Sequence, residues 1–172
     1  YVVNEGVIHQ ADVLLKDGYI ARIASTITPP EKAYTEVKAA GLYLMPGIID
    51  NHVHFREPGL THKGTIGTES RAAVAGGVTA TMEMPNTIPQ TVNQAELAGK
   101  YRRASATSWT NHAFYLGATK DNIEAIKQAN AQDICGIKVF MGSSTGNMLV
   151  DDPETLAGIL RQSQHLVAVH AE

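Results

Sequence analysis

Apolar and polar residues follow two different rhythms along the chain, and the change falls near Pro46. Before it, Ala11-Asp12-Val13-Leu14-Leu15-Lys16 and Tyr19-Ile20-Ala21-Arg22-Ile23-Ala24 are short β-prone runs joined by Asp17-Gly18. That dipeptide supplies the positive φ angles of a two-residue hairpin turn. A further short strand is expected at 42–45, so residues 1–46 read as a small antiparallel β unit. After Pro46, apolar runs at 47–51, 78–84, 109–116, 136–141 and 166–170 predict strands. Helix-forming composition at 65–75, 93–106, 121–130 and 153–164 separates them.

Strand–helix–strand repetition implies a parallel sheet with right-handed crossovers. The strand ends recur every 25 to 30 residues or so, about the length of one βα unit in a (β/α)8 barrel. The expected fold class is therefore α/β: the first five strands of a TIM-like barrel in residues 47–172, preceded by a small segment of a β-sandwich in residues 1–46. A closed barrel needs about 250 residues, so this stretch holds a little more than half of one. A doubly wound sheet would call for a glycine-rich turn after its first strand; here that strand runs into histidines.

Composition narrows the partners. With 44% hydrophobic and 18% charged residues and a net charge of −3, the chain has no clustered basic excess for nucleic acid or an anionic membrane. No stretch approaches the roughly 20 apolar residues of a membrane span. Cys135 is the single cysteine, which excludes an intramolecular disulfide and fits a reducing cytoplasm. The opening Tyr1-Val2-Val3-Asn4 is neither basic nor apolar enough for a signal peptide, and the missing initiator Met suggests residues in front of it. Self-association into a homo-oligomer is compatible with the sequence, which does not measure it.

The strongest chemical signal is Asp50-Asn51-His52-Val53-His54. Alternate side chains of an extended strand share a face, so His52 and His54 point together, and paired imidazoles suit Zn2+ or a similar ion. Two unrelated histidines near a turn are the plain alternative. His170 ends the fifth strand in Val167-Ala168-Val169-His170, either as a packed histidine or as a third ligand at the same rim. Lys138 lies inside Ile134-Cys135-Gly136-Ile137-Lys138-Val139-Phe140-Met141, whose alternation sends Ile137 and Val139 toward helices and Lys138 into the barrel. An unpaired ammonium is costly there, and burial depresses its pKa. A neutral amine can take up CO2 and become an anionic, two-oxygen metal ligand; snorkelling to the strand end or pairing with a carboxylate is the other outcome.

The run from Leu44-Met45-Pro46-Gly47 through Asp50-Asn51-His52-Val53-His54 to Phe55-Arg56-Glu57-Pro58-Gly59 closely resembles the opening motif of the dihydroorotase family in the amidohydrolase superfamily. Met84-Pro85-Asn86-Thr87, Gly136-Ile137-Lys138-Val139-Phe140-Met141-Gly142 and Val169-His170-Ala171-Glu172 resemble its later signatures, in the same order. The resemblance implies a metal-dependent hydrolase barrel with two divalent ions, usually zinc. His52 and His54 would hold the first ion, carboxylated Lys138 would bridge both, and His170 would hold the second. Arg56 and Asn86 match the positions that grip a carboxylate on a small-molecule substrate, a task suited to a planar guanidinium. A surface salt bridge with Glu57 and a turn role after Pro85 are the structural alternatives for these two. Some family members use an aspartate from the fourth-strand loop in place of the lysine, which keeps Asp151 and Asp152 in view.

The implied reaction is reversible hydrolysis of L-dihydroorotate to N-carbamoyl-L-aspartate, a step of pyrimidine biosynthesis. The family's proton-shuttling aspartate and a further histidine ligand fall beyond residue 172, so an isolated polypeptide of residues 1–172 is expected to be inactive. Glu172, expected to face away from His170, is not assigned as the acid. Dihydropyrimidinases, hydantoinases and allantoinases share the metal site; Arg56 argues for a carboxylate-bearing substrate over theirs. A non-catalytic scaffold that keeps the barrel is a reading from a different class. Gly142-Ser143-Ser144-Thr145-Gly146 fits the nucleophile pattern G-x-S-x-G, but that elbow needs a helix directly after it and loop-like sequence follows. His9, His62, His112 and His165 have no ligand spacing, although His112, on the third barrel strand, could approach the site. Cys135 is expected to be inert packing.

Overall fold

The computed structural model describes residues 1–29, 31–142 and 146–171. The chain divides into two compact units, Tyr1–Pro46 and Gly47–Glu172. In the first, β1 (Val2–Asn4) pairs antiparallel with β2 (Val7–His9), and β3 (Asp12–Lys16) with β4 (Tyr19–Ala24). Asp17 and Gly18 carry φ of 53° and 80°, the positive pair that a tight hairpin requires. The β1–β2 hairpin escaped the sequence pattern because its strands are three residues each and its turn is Glu5-Gly6, a weaker signal than Asp-Gly. The strand expected at 42–45 shrinks to a single bridge between Leu44 and Val2.

The second unit is an alternating βα series. In order it runs β5 (Ile48–Val53), α1 (Ile66–Ala75), β6 (Val78–Glu83), α2 (Gln94–Thr107), β7 (Asn111–Gly117), α3 (Ile123–Lys127), β8 (Gly136–Phe140), α4 (Pro153–Gln162) and β9 (Val167–His170). The five strands are all parallel and neighbour one another in sequence order, β5-β6-β7-β8-β9. A doubly wound sheet reverses its order at a switch point; this one never does, so it is the first half of a (β/α)8 barrel wall.

The core lies between sheet and helices. Phe114, Ile137 and Val139 from the strands meet Ile66 of α1, Leu97 and Ala104 of α2, Ile126 of α3 and Ile159 of α4. Burying each of the larger side chains contributes roughly 1.5–3 kcal/mol, and it is this layer that fixes which face of every strand looks away from the helices. Side-chain caps start three helices: Thr65 on α1, Asn93 on α2, and Asp152 followed by Pro153 on α4. α3 is the exception and is shorter than the 121–130 expected. The Asn122 side chain, at its cap position, instead accepts from the Thr119 amide and donates to the carbonyls of Val92 and Gly117.

Candidate functional site

β5 extends two residues further than the pattern predicted and ends at Val53, so His52 lies inside the strand and His54 just past it. Its register with β6 shifts between Asp50 and Val53. The Asp50 carboxylate accepts from the His52 amide at 3.1 Å within this irregularity. Simple alternation is therefore broken locally, as it often is where a bulge re-aims a side chain. The two imidazoles nevertheless come together, with ring centroids 5.3 Å apart.

Lys138 projects from the middle of β8, on the face opposite Ile137 and Val139, and is 2% exposed. Its Nζ lies 5.2 Å from the centre of the Phe140 ring, and that ring lies 5.9 Å from the ring of His170 at the end of β9. No carboxylate among the described residues forms an ion pair with Lys138. A cleft of about 420 Å3 opens here, lined among others by Asn51, His52, Met84, Tyr115, Cys135 and Lys138. A hollow of about 480 Å3 beside Asn93, Gln128 and Asp133 contains no imidazole and only one carboxylate.

The electrostatics follow from this crowding. Burial first, then the positive charges of Lys138 and His170, hold His52 below the usual imidazole range, against the opposing pull of Asp50. His54 is lowered chiefly by burial, with Arg56, His52 and Lys138 adding to it. Burial alone lowers Lys138. Each group is thus shifted toward its neutral, lone-pair-bearing form, the form that binds a metal or CO2.

Asn86, in the segment after β6, is buried, and its Oδ1 lies 2.8 Å from Nδ1 of His54. Accepting there makes Nδ1 the protonated nitrogen and leaves Nε2 with its lone pair. Arg56 is close enough for its charge to act on His54. Its backbone carries φ of 70°, uncommon for a long side chain. Glu57 does not pair with it, because Glu57 Oε2 accepts from the Ile66 amide at the start of α1. The segments after β5 and β6 are locked together: the Ile88 amide donates to the Pro58 carbonyl, and Gly59, at φ 87°, leaves no room for a Cβ against Ile88.

Other candidates sort themselves. Asp151 pairs with exposed Lys120 at 3.0 Å, and Asp152 caps α4 by accepting from the Thr155 amide. Both carboxylates are thus already engaged by these partners. His112 does not approach the site: it packs against Tyr101 and Phe114 on the helix side of the sheet. Cys135 lines the cleft, and burial pushes its thiol up to about 11, far from a reactive thiolate. Ser143, Ser144 and Thr145 of the G-x-S-x-G run, and Glu172, lie outside the described residues. Among those residues, no group of three or more His, Cys, Asp or Glu side chains is arranged to hold an ion, so His52, His54 and His170 do not by themselves form one.

One feature that pattern reading missed lies behind the histidines. Glu83, the last residue of β6, and Lys100 of α2 form an ion pair at 2.7 Å with side chains 2% and 1% exposed. The sequence does carry its trace: Leu97, Lys100 and Ala104 are the buried residues of α2 and share one helical stripe.

Residues 41–136 match the family model described as Dihydro-orotase-like. An allantoinase of Solibacter usitatus is 36% identical over 176 residues, covering 99% of this chain and 38% of that protein. A dihydroorotase of Streptococcus pneumoniae is 48% identical over 118 residues, covering 69% of this chain and 27% of that protein. Among solved structures, the L-hydantoinase (dihydropyrimidinase) from Arthrobacter aurescens superposes with a TM-score of 0.88 at 30% identity, covering 99% of this chain and 39% of that one. The chain thus spans less than two-fifths of the length of these relatives. A parallel five-stranded half-barrel, together with a family match over more than half of the residues, makes this chain a member of the dihydro-orotase-like cyclic amidohydrolases.

Proposed function

We propose that this segment supplies the N-terminal half of the catalytic barrel of a metal-dependent dihydroorotase. The observation that carries the reading is the setting of Lys138, an amine buried without a carboxylate partner among the described residues and close enough to His52 and His54 for its charge to act on both. A permanent ammonium there would be desolvated for no gain. As a neutral amine its nitrogen can attack CO2, forming the N–C bond and releasing one proton, to give a carbamate anion. The donor chemistry fits divalent ions such as Zn2+, a pair of which would be held by His52, His54, His170 and the Lys138 carbamate.

When bound, such ions supply Lewis acidity toward a ring carbonyl and lower the pKa of a water molecule to near neutrality. The chain's own residues do the rest. Asn86 Oδ1 holds the proton on Nδ1 of His54 and so keeps Nε2 free to bind. Its Nδ2 remains as a donor toward the substrate. The Arg56 guanidinium offers a paired donor edge to a carboxylate. That requirement favours L-dihydroorotate over uncharged dihydropyrimidines and over allantoin or simple hydantoins; the corresponding role is in pyrimidine biosynthesis, and the single cysteine is compatible with a reducing cytoplasm. A dihydroorotase, 48% identical over 118 residues, stands among the relatives beside an allantoinase that is 36% identical over 176. The general acid that protonates the leaving nitrogen belongs to a part of the polypeptide beyond Glu172.

The test is a side-by-side hydrolysis assay of the full-length protein on dihydroorotate, dihydrouracil, hydantoin and allantoin, with metal content measured on the same samples. Preference for dihydroorotate with about two ions bound is the expected result. Preference for dihydrouracil, hydantoin or allantoin would replace the substrate but keep the chemistry. A protein that binds no metal in zinc-replete medium would favour a non-catalytic scaffold.

A further inference from the structure

Glu83 and Lys100 sit in the layer between the sheet and α2, where a charged pair offers little net stability over apolar side chains of similar size. Their contacts, however, lead to the site. Glu83 Oε1 accepts from the buried amide of Phe55 at 3.1 Å, and the neighbouring Arg56 amide lies close enough to favour the charge of the same carboxylate. Lys100 Nζ donates to the Met84 carbonyl at 3.1 Å and lies 4.8 Å from the centre of the Phe114 ring. The Met84 amide in turn donates to the carbonyl of Val53. One carboxylate thus gathers the backbone immediately after His54, and its counter-ion pins the backbone two residues before Asn86.

We infer that the Glu83–Lys100 pair is a positioning device, holding the positive-φ turn that aims Arg56 at a substrate carboxylate and keeping it in register with His54 and Asn86. The inference rests on the reading of Arg56 given under Proposed function. The left-handed backbone at Arg56, φ 70°, is sparsely populated for a non-glycine residue and persists only where surrounding contacts over-determine it. The Phe55 amide held by a buried carboxylate, with the Arg56 amide beside it, is such a contact, and a charged acceptor binds an amide more strongly than a neutral one. The Lys100 charge allows that carboxylate to remain ionised in a buried place.

Two double variants of the full-length, metal-loaded protein separate positioning from filling. Glu83→Leu with Lys100→Met keeps the volume and leaves no unpaired charge, but removes the acceptor. Glu83→Gln with Lys100→Met also removes the charges and retains an acceptor oxygen. In the first, amide hydrogen exchange at Phe55 and Arg56 should rise about tenfold or more over wild type while the rest of the barrel stays protected. KM for dihydroorotate should rise by a similar factor of about ten, with kcat and metal content nearly unchanged. The Gln variant should recover most of both losses. Wild-type exchange at these two amides in the Leu variant, or an acceleration spread evenly through the barrel and shared by the Gln variant, would overturn the inference. If wild type proves inactive on dihydroorotate, the substrate assignment fails, while exchange and its rescue by Gln still decide the role of Glu83.

Discussion

Two lysines are buried in the barrel unit, and their surroundings could hardly differ more. Lys100, 1% exposed, lies in the helix–sheet layer with a carboxylate at 2.7 Å, a carbonyl at 3.1 Å and an aromatic face beneath it. Lys138, 2% exposed, lies on the opposite side of the sheet among imidazoles, with no acidic partner among the described residues. Burial lowers the pKa of both; at Lys100 the charge and hydrogen bonding of Glu83 oppose it, whereas at Lys138 nothing does. The same residue type therefore serves as scaffold where the fold supplies a counter-ion and as chemistry where it does not.

The contrast predicts different failures. Lys138→Ala in the full-length protein should leave the fold intact and lower kcat for dihydroorotate on the order of a thousandfold, with metal content falling in parallel by elemental analysis. Retained metal and near-normal turnover would remove Lys138 from the chemistry. Lys100→Met alone should do the reverse. By stranding Glu83 in the layer it should cost about 3–5 kcal/mol in a denaturation series, whereas the matched pair of substitutions at 83 and 100 should recover most of that loss. A single variant as stable as wild type would show that Glu83 is readily protonated there, in keeping with the burial that raises its pKa.

Smaller effects sharpen the picture. Asn86→Ala removes the acceptor that fixes the His54 tautomer and should weaken metal affinity by about 10- to 100-fold, read by competition with a chelator. An unchanged affinity would confine Asn86 to substrate contact. Cys135 should be the least responsive position. Its thiol, pushed up to about 11, stays protonated at neutral pH, so alkylation should be slow at pH 8 and accelerate only as pH climbs toward 11. Rapid labelling at pH 7 would mean that the cleft is more polar than its lining implies.

Much of the site was legible because barrel chemistry collects at strand ends, which sequence marks well. The runs ending in His54, Met141 and His170 are apolar and regularly spaced, so order alone pointed to His52, His54, Lys138 and His170 as candidates for one rim; the structure pairs His52 with His54 and puts Lys138 in the cleft that His52 lines. Two kinds of feature resisted. A register shift between Asp50 and Val53 broke the alternation from which the imidazole pairing was argued, although the two rings still lie 5.3 Å apart. Lys100 looked like an ordinary lysine of an amphipathic helix, and Glu83 like a polar strand terminus. Neither has a local signal that names the other, seventeen residues away. Likewise, Asn122 has the composition of a helix start, yet its side chain serves the loops after β6 and β7, and α3 shortens accordingly.

What the sequence determined by itself was the alternating βα elements of the second unit and the residue types on its strands. Periodicity and turn dihedrals are local properties of a few neighbouring residues. What tertiary structure decided was which polar groups would find partners once removed from water: Glu83 with Lys100 and the turn amides, Asn86 with His54, and Lys138 with no acid among the described residues. Desolvation penalises every one of these groups, and its compensation depends on atoms brought near by folding, not by chain adjacency.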